Sequence, residues 1–467
     1  MDIVIEEIQK DTRSQDLAKK PIKKLLWQFA LPSIIAMSAS SIYNLCDSIF
    51  IGHGVDAMAI AGLAITFPLM NISAAFGAMI GIGSGALTSV RLGEGNHRQT
   101  SLILGTLLRM DFIIGIFFTT LGLIFLDPIL RLFGASDVTL PYARDYMQII
   151  LMGNIITHSF LGMNDIMRAS GYPERAMIAQ LIAVVTNIVL DYLFIFVFHW
   201  GMRGAAIATV LGQVLALCFE LWHYSRKSSI VHFTRESLHF RWSIVRNILA
   251  VGISPFCVNV CGCIVVIFIN KALMTQGGGD GDTYVAAYGI MNRLGMLLIM
   301  MVMGFSQGMQ PIAGFNLGAK KFDRVRQVLK YAYLCATCIM VVGYTIIFFF
   351  PRQLTMLFTT DDHLIDISAY ALRFALCMFP FVGGQMITIA FFQSIRRASK
   401  AIFLSMTRQL LFLLPLLIFL PQWIGTDGVW YSMIISDIIS SILGIILLSH
   451  QMRQFKHLHS ARQIVSS

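Results

Sequence analysis

The chain reads as a succession of apolar runs, each broken by a short turn rich in polar, basic or glycine residues. Hydropathy along windows of bilayer length predicts twelve helices. They fall near 25–51, 57–90, 100–126, 142–167, 176–198, 203–225, 244–270, 283–311, 327–350, 366–394, 401–420 and 428–450. The second and eighth exceed what a perpendicular crossing needs, which predicts tilt or protrusion. No connection between runs is long enough to fold as a separate soluble domain. The expected fold is therefore all-α and membrane-embedded, with twelve transmembrane helices.

Landmarks in the turns occur twice. Leu92-Gly93 after the second run is echoed by Leu317-Gly318 after the eighth, and Gly85 by Gly308. Gly201-Met202-Arg203-Gly204 before the sixth is echoed by Gly425-Thr426-Asp427-Gly428 before the twelfth. An offset near 224 residues predicts two pseudo-symmetric six-helix bundles around a central cleft. Six crossings per half leave both halves starting on the same side, so the repeats are parallel. The expected organisation is an N-terminal tail (1–24), an N-lobe (25–225), a linker (226–243), a C-lobe (244–450) and a C-terminal tail (451–467).

Composition agrees with lipid and excludes a soluble enzyme. Hydrophobic residues make up 56% and charged residues 13%, against about 25% charged in soluble domains. The net charge of +10 could suggest nucleic acid. However, its clusters (Lys19, Lys20, Lys23 and Lys24; Lys320, Lys321, Arg324 and Arg326; Arg396, Arg397 and Lys400) sit in short turns and tails. The positive-inside rule then places both termini in the cytoplasm and leaves no nucleic-acid surface. The mixed-charge N-terminus, followed by a long first run, does not read as a signal peptide. The eight cysteines lie in apolar runs, and Cys335-x-x-Cys338 has no second pair, so they read as packing residues. Gly77, Gly81, Gly83 and Gly85 precede no Gly-Lys-Ser/Thr and read as a helix-packing surface; no Walker A sequence occurs anywhere.

Ionisable residues within spans are costly and mark functional sites. Asp47 lies about 6 Å below the outer end of the first helix, Asp191 about 10 Å below that of the fifth, and Thr209 about 9 Å below that of the sixth. Asn187 shares a face with Asp191, and Tyr43 with Asp47, at i,i+4 spacing. These five are expected to converge. Two carboxylates in low dielectric cannot both carry charge cheaply, so the set could hold a proton, and the same oxygens suit a sodium ion. Read alone, Asp47 also suits a helix end facing interfacial water. The seventh run contains no Asp or Glu, so no equivalent acid is expected in the C-lobe. Arg408 and Asp437 lie at comparable depths in the eleventh and twelfth helices and are expected to form a structural ion pair. Arg109 and Asp111 point to different faces of the third helix, and His158 reads as a packed neutral side chain. Met291, Met300 and Met303 of the Met-rich eighth helix, with Asn164 of the fourth, are expected to line the cleft, because methionine adapts to many shapes.

Tyr43-Asn44-Leu45-Cys46-Asp47-Ser48-Ile49-Phe50-Ile51-Gly52, together with Asn187-x-x-x-Asp191 and Thr209, resembles the multidrug and toxic compound extrusion (MATE) family, in its DinF-like and MepA-like branch. The resemblance runs over essentially the whole chain. It implies a cation-coupled antiporter, without cofactor, that exports bulky, amphipathic, often cationic organic compounds in exchange for protons or sodium. It further implies a multi-pass protein of the plasma membrane, in contact with lipid and acting as a monomer. The NorM-like branch carries coupling carboxylates in the seventh and tenth helices. Here Asp366 lies only at the outer end of the tenth, which argues against a site of that type. A flippase of the same superfamily would need several basic residues in the cleft, and the placement of Arg109, Arg293, Arg373 and Arg408 discriminates it. A membrane enzyme would need a clustered nucleophile, base or metal set, and the sequence offers none.

Overall fold

The computed structural model describes residues 15–55 and 57–466, and among these there is no strand. Among the described residues ten helices are long and apolar enough to cross a membrane, and the bent pair Asp362–Ala375 and Phe379–Ser394 passes as an eleventh span. In chain order the crossing units are α1 (Ile22–Gly54), α2 (Ala57–Gly93), α3 (His97–Ile124), α4 (Leu140–Met152 and Asn154–Ala169), α5 (Pro173–Val197), α6 (Gly201–Ser225), α7 (Trp242–Gln276), α8 (Gly281–Gly318), α9 (Phe322–Phe349), α10 (Asp362–Ala375 and Phe379–Ser394), α11 (Ala398–Ile424) and α12 (Asp427–Ser466). The end of the bundle where α1 begins is called inner here, and the end where it finishes outer.

Two spans expected to be continuous are broken. α4 is interrupted at Gly153, and α10 bends by 55° between Ala375 and Phe379. Hydropathy averages across such breaks and cannot register them. Through the expected C-terminal tail, α12 runs on as helix to Ser466. Of the expected N-terminal tail, residues 1–14 lie outside the described residues.

The breaks reveal the repeat more sharply than the sequence does. Each half carries its broken helix in fourth place. A short helix precedes each broken one, Leu126–Leu132 in the first half and Pro351–Met356 in the second. Left-handed backbone recurs as well: Gly95 (φ 75°) matches Lys320 (φ 55°), and Gly171 (φ 90°) matches Arg396 (φ 58°), each 225 residues on. The turn geometry has persisted even where the glycine that favours it has been replaced.

The two lobes meet through crossed helices, α1 against α8 and α2 against α7, with α2 also packing on α8. Glycines allow these approaches. A Cβ at Gly304 would strike Ile34, one at Gly308 would strike Ala30, one at Gly83 the Ile248 carbonyl and one at Gly252 the Met79 carbonyl. Close backbone approach through small residues is how helices associate in lipid, where burial of apolar surface drives little. These crossings lie in the inner half, where Trp27 also meets Phe305 edge-on at 5.1 Å. Farther out, Phe76 packs on Phe256 at 5.0 Å, and the Ser41 hydroxyl meets the Met300 sulfur.

The start of the chain adds a strap. Arg324 Nη2 donates to the carbonyls of Leu17 (3.1 Å) and Lys20 (2.8 Å), and Asn316 Nδ2 donates to Leu17 (3.2 Å). Lys321 Nζ reaches the Ala18 carbonyl at 3.0 Å. The segment before α1 is thus held by the opposite lobe. The linker packs on α3, where Arg109 Nη2 donates to the Ser237 and His239 carbonyls and Arg98 pairs with Glu236 at 2.7 Å.

Candidate cation site in the N-lobe

Four helices bring the outer polar residues together. α1 supplies Tyr43 and Asp47, α5 supplies Asn187 and Asp191, α6 supplies Thr209, and the first segment of α4 supplies Tyr146. Asp47 (4% exposed), Asn187 (3%), Asp191 (0%) and Thr209 (6%) are buried, and Tyr43 is half-buried. Asn187 Nδ2 donates to Thr209 Oγ1 at 3.2 Å, while that hydroxyl donates to the Ala205 carbonyl at 3.1 Å. The phenols of Tyr43 and Tyr146 both interact with Thr209 and both lie in the field of the two carboxylates.

The cluster is short of donors. Asp47 Oδ1, Asn187 Oδ1 and both carboxylate oxygens of Asp191 are buried without a hydrogen-bond partner. Buried polar atoms are normally satisfied, and leaving one unpaired costs about 1–3 kcal/mol. Four such oxygens in one place fit a bound proton or a hard cation such as sodium, which prefers oxygen ligands. Among the described residues no three His, Cys, Asp or Glu side chains gather into a metal site, so a sodium ion here would rely on Asn187 and Thr209 beside the two carboxylates.

Tyr146 is the member the sequence reading missed. It is 1% exposed and lies about 9 Å along α4 from that helix's outer start, the depth also read for Asp191 and Thr209. Depth alone would have nominated it.

Elsewhere the expected residues fare differently. Arg408 Nε lies 2.7 Å from Asp437 Oδ1 between α11 and α12. His158 is fully buried, with Nε2 3.1 Å from the Ser73 carbonyl. Met300 and Met303 are half-buried, and Met300 faces the other lobe. Met291 does not line an open cleft: it is 2% exposed within the hydrophobic core. Asn164 is also misplaced by the sequence reading. Its Nδ2 donates inside the N-lobe to the Ala176 carbonyl (2.9 Å) and Glu220 Oε1 (3.0 Å), which spends its polarity away from the cleft. Of the four basic side chains that discriminate a flippase, three are occupied, Arg109 by the linker, Arg408 by Asp437, and Arg373 by the Phe348 carbonyl at 3.1 Å, while Arg293 of α8 is exposed.

The family model MatE matches residues 32–193 and 251–418, one stretch in each lobe. The multidrug export protein MepA of Staphylococcus haemolyticus (strain JCSC1435) is 25% identical over 439 residues, covering 94% of this chain and 96% of that protein. MepA of Staphylococcus aureus (strain NCTC 8325 / PS 47) is 24% identical over the same coverage. Among solved structures, a MATE protein in a bent conformation superposes with a TM-score of 0.89 at 26% identity, covering 95% of this chain and 98% of that one. An outward-facing multidrug resistance MATE transporter of the MOP superfamily gives 0.88 at 25% identity, covering 94% and 98%.

Proposed function

Because this chain belongs to the MatE family of membrane transporters, we propose that it is a secondary active exporter of bulky, amphipathic, often cationic organic compounds. Export is driven by inward movement of protons or sodium ions. The observation that carries the coupling is the donor-poor N-lobe cluster, in which four buried oxygens of Asp47, Asn187 and Asp191 await a positive partner.

The residues divide the work as follows. Asp47 and Asp191 hold the coupling proton or sodium ion. Asn187 and Thr209 orient the carboxylates, and Tyr43 and Tyr146 close the site from α1 and α4. A bound cation supplies compensating positive charge, so the lobe is more stable loaded than empty. That difference between states is what an alternating-access cycle needs, since a ligand shifts a conformational equilibrium only by its differential affinity. The organic cargo occupies the cleft between the lobes, flanked by Met300 and Met303, and leaves when the loaded state favours release.

We read the protein as a monomer of the plasma membrane. The basic clusters at the inner turns support an orientation with both termini and the 226–243 linker in the cytoplasm. The deciding experiment is ethidium efflux from vesicles with pH and sodium gradients imposed separately. Export under one gradient identifies the coupling ion. No export under either, with lipid-linked precursor moved instead, would replace the antiporter by a flippase.

A further inference from the structure

A second polar cluster lies in the inner half of the N-lobe, well away from Asp47 and Asp191. Asp111 of α3 and Glu220 of α6 are both 0% exposed. Neither oxygen of Asp111 has a hydrogen-bond partner, nor does Glu220 Oε2. Asp165 of α4, which acts electrostatically on both, pairs with Arg168 one turn along the same helix. Arg168 then reaches out of its lobe: Nη1 donates to Gln307 Oε1 of α8 at 2.7 Å. A small cavity opens between the lobes at this point, lined by Gly85, Ser89, Asp165, Arg168, Gln307 and Gln310.

The charges do not balance. Three carboxyls cluster beside a single guanidinium, which acts on Asp165 and Glu220, and the neighbouring groups do not make up the difference. Arg175 of α5 is turned to His223 Nδ1 of α6 at 2.6 Å. Tyr172 and Tyr224 offer only phenols, Tyr172 accepting from the Ile230 amide at 3.3 Å and Tyr224 donating to the Met163 carbonyl at 2.7 Å. Arg109 of α3 is taken by the linker. α2 lines the cluster with Gly81, Gly85 and Ser89, and α8 with Gln307 and Gln310, none of them titratable. Burying three carboxylates against one cation is far more costly than burying them protonated.

We propose that Asp111, Asp165 and Glu220 form an inner proton-binding cluster, distinct from the outer one, whose charge decides whether Arg168 bridges to Gln307 and holds the lobes together. With Asp111 and Glu220 protonated, Arg168 has only Asp165 as a charged partner and is free to donate across the interface. Loss of a proton from either buried carboxyl to water on the inner side creates a second carboxylate that competes for the guanidinium, draws it into the N-lobe and weakens the bridge. The closed inner gate therefore binds protons more tightly than the open one. The inference rests on lobe movement, which belongs to the proposed transport cycle.

The test is hydrogen exchange by mass spectrometry on the full-length protein in nanodiscs, at acid and alkaline pH, corrected for the intrinsic pH dependence of exchange. In wild type, the inner ends of α2 and α8 should exchange faster at alkaline pH. The Asp111→Asn, Glu220→Gln double variant should abolish this difference and remain protected at both pH values. Gln307→Leu leaves the buried carboxyls untouched and should lose the difference by exchanging fast throughout, so the test survives if a carboxyl variant fails to fold. The Asp47→Asn, Asp191→Asn double variant should keep the wild-type difference even while export is lost, which separates this inference from the outer coupling site. No pH difference in wild type, or one that persists in the Asp111→Asn, Glu220→Gln double variant or in Gln307→Leu, would overturn it.

Discussion

Arg408 of α11 and Asp437 of α12 form an ion pair, Nε to Oδ1 at 2.7 Å, with the Asp437 side chain 6% and the Arg408 side chain 25% exposed. Ser436 donates to the Arg408 carbonyl, adding a second tie between the same two helices. Removing one partner strands the other charge in low dielectric, at a cost of about 3 kcal/mol. Arg408→Met and Asp437→Leu should each lower thermal stability in detergent by an amount of that order, and the double variant should recover most of it. Drug binding by the double variant should stay near wild type. A coupling energy near zero in the double-mutant cycle would show that the pair contributes nothing to C-lobe packing.

The outer cluster gives a functional counterpart. Asp47→Asn and Asp191→Asn each remove a carboxylate from a site that holds only two. Each should abolish gradient-driven ethidium export, while insertion and monodispersity in detergent remain normal. Near wild-type export in both would sink the coupling assignment.

Tyr146→Phe removes only the hydroxyl that interacts with Thr209. Loss of that polar contact within the site should reduce the export rate severalfold at a fixed gradient. Tyr43→Phe should act in the same direction. An unchanged rate in Tyr146→Phe would remove α4 from the site.

Gly304→Val tests the lobe crossing. The added side chain would collide with Ile34 of α1, and overpacking of this kind costs about 1–3 kcal/mol. The variant should melt at a lower temperature, and the inner ends of α1 and α8 should become more accessible to water-soluble thiol probes after cysteine substitution there. A melting temperature equal to wild type would mean that the two helices are free to separate.

Much of this was legible in the chain. The twelve runs, the parallel repeat and the convergence of Asp47, Asn187, Asp191 and Thr209 follow from apolar length, turn spacing and depth, all one-dimensional quantities. Tyr146 escaped because tyrosine is common near membrane interfaces and its span carries Arg144 and Asp145 beside it. The inner carboxyls escaped for a related reason. Asp165 and Glu220 fall near the inner ends of their predicted spans, where acids normally meet water, and only helix packing shows that Glu220 is sealed off. Met291 and Asn164 were misplaced because a residue's depth does not say which way it faces. The breaks in α4 and α10 leave no mark on hydropathy.

The crossing of α1 over α8 and of α2 over α7 also bears on how the protein is made. A membrane protein is inserted from its N-terminus as it is translated, so α2 is complete at residue 93 whereas its partner α7 is complete only at residue 276. At about 5–20 residues per second, the glycine-lined face of α2 waits for its partner for roughly 10–40 s, and α1 waits longer for α8. During that interval nothing in the nascent chain covers these faces except lipid or an insertion chaperone. Substitutions at Gly83, Gly304 or Gly308 should therefore reduce yield during synthesis as well as stability afterwards, since a face that cannot receive its partner stays open to quality-control proteolysis.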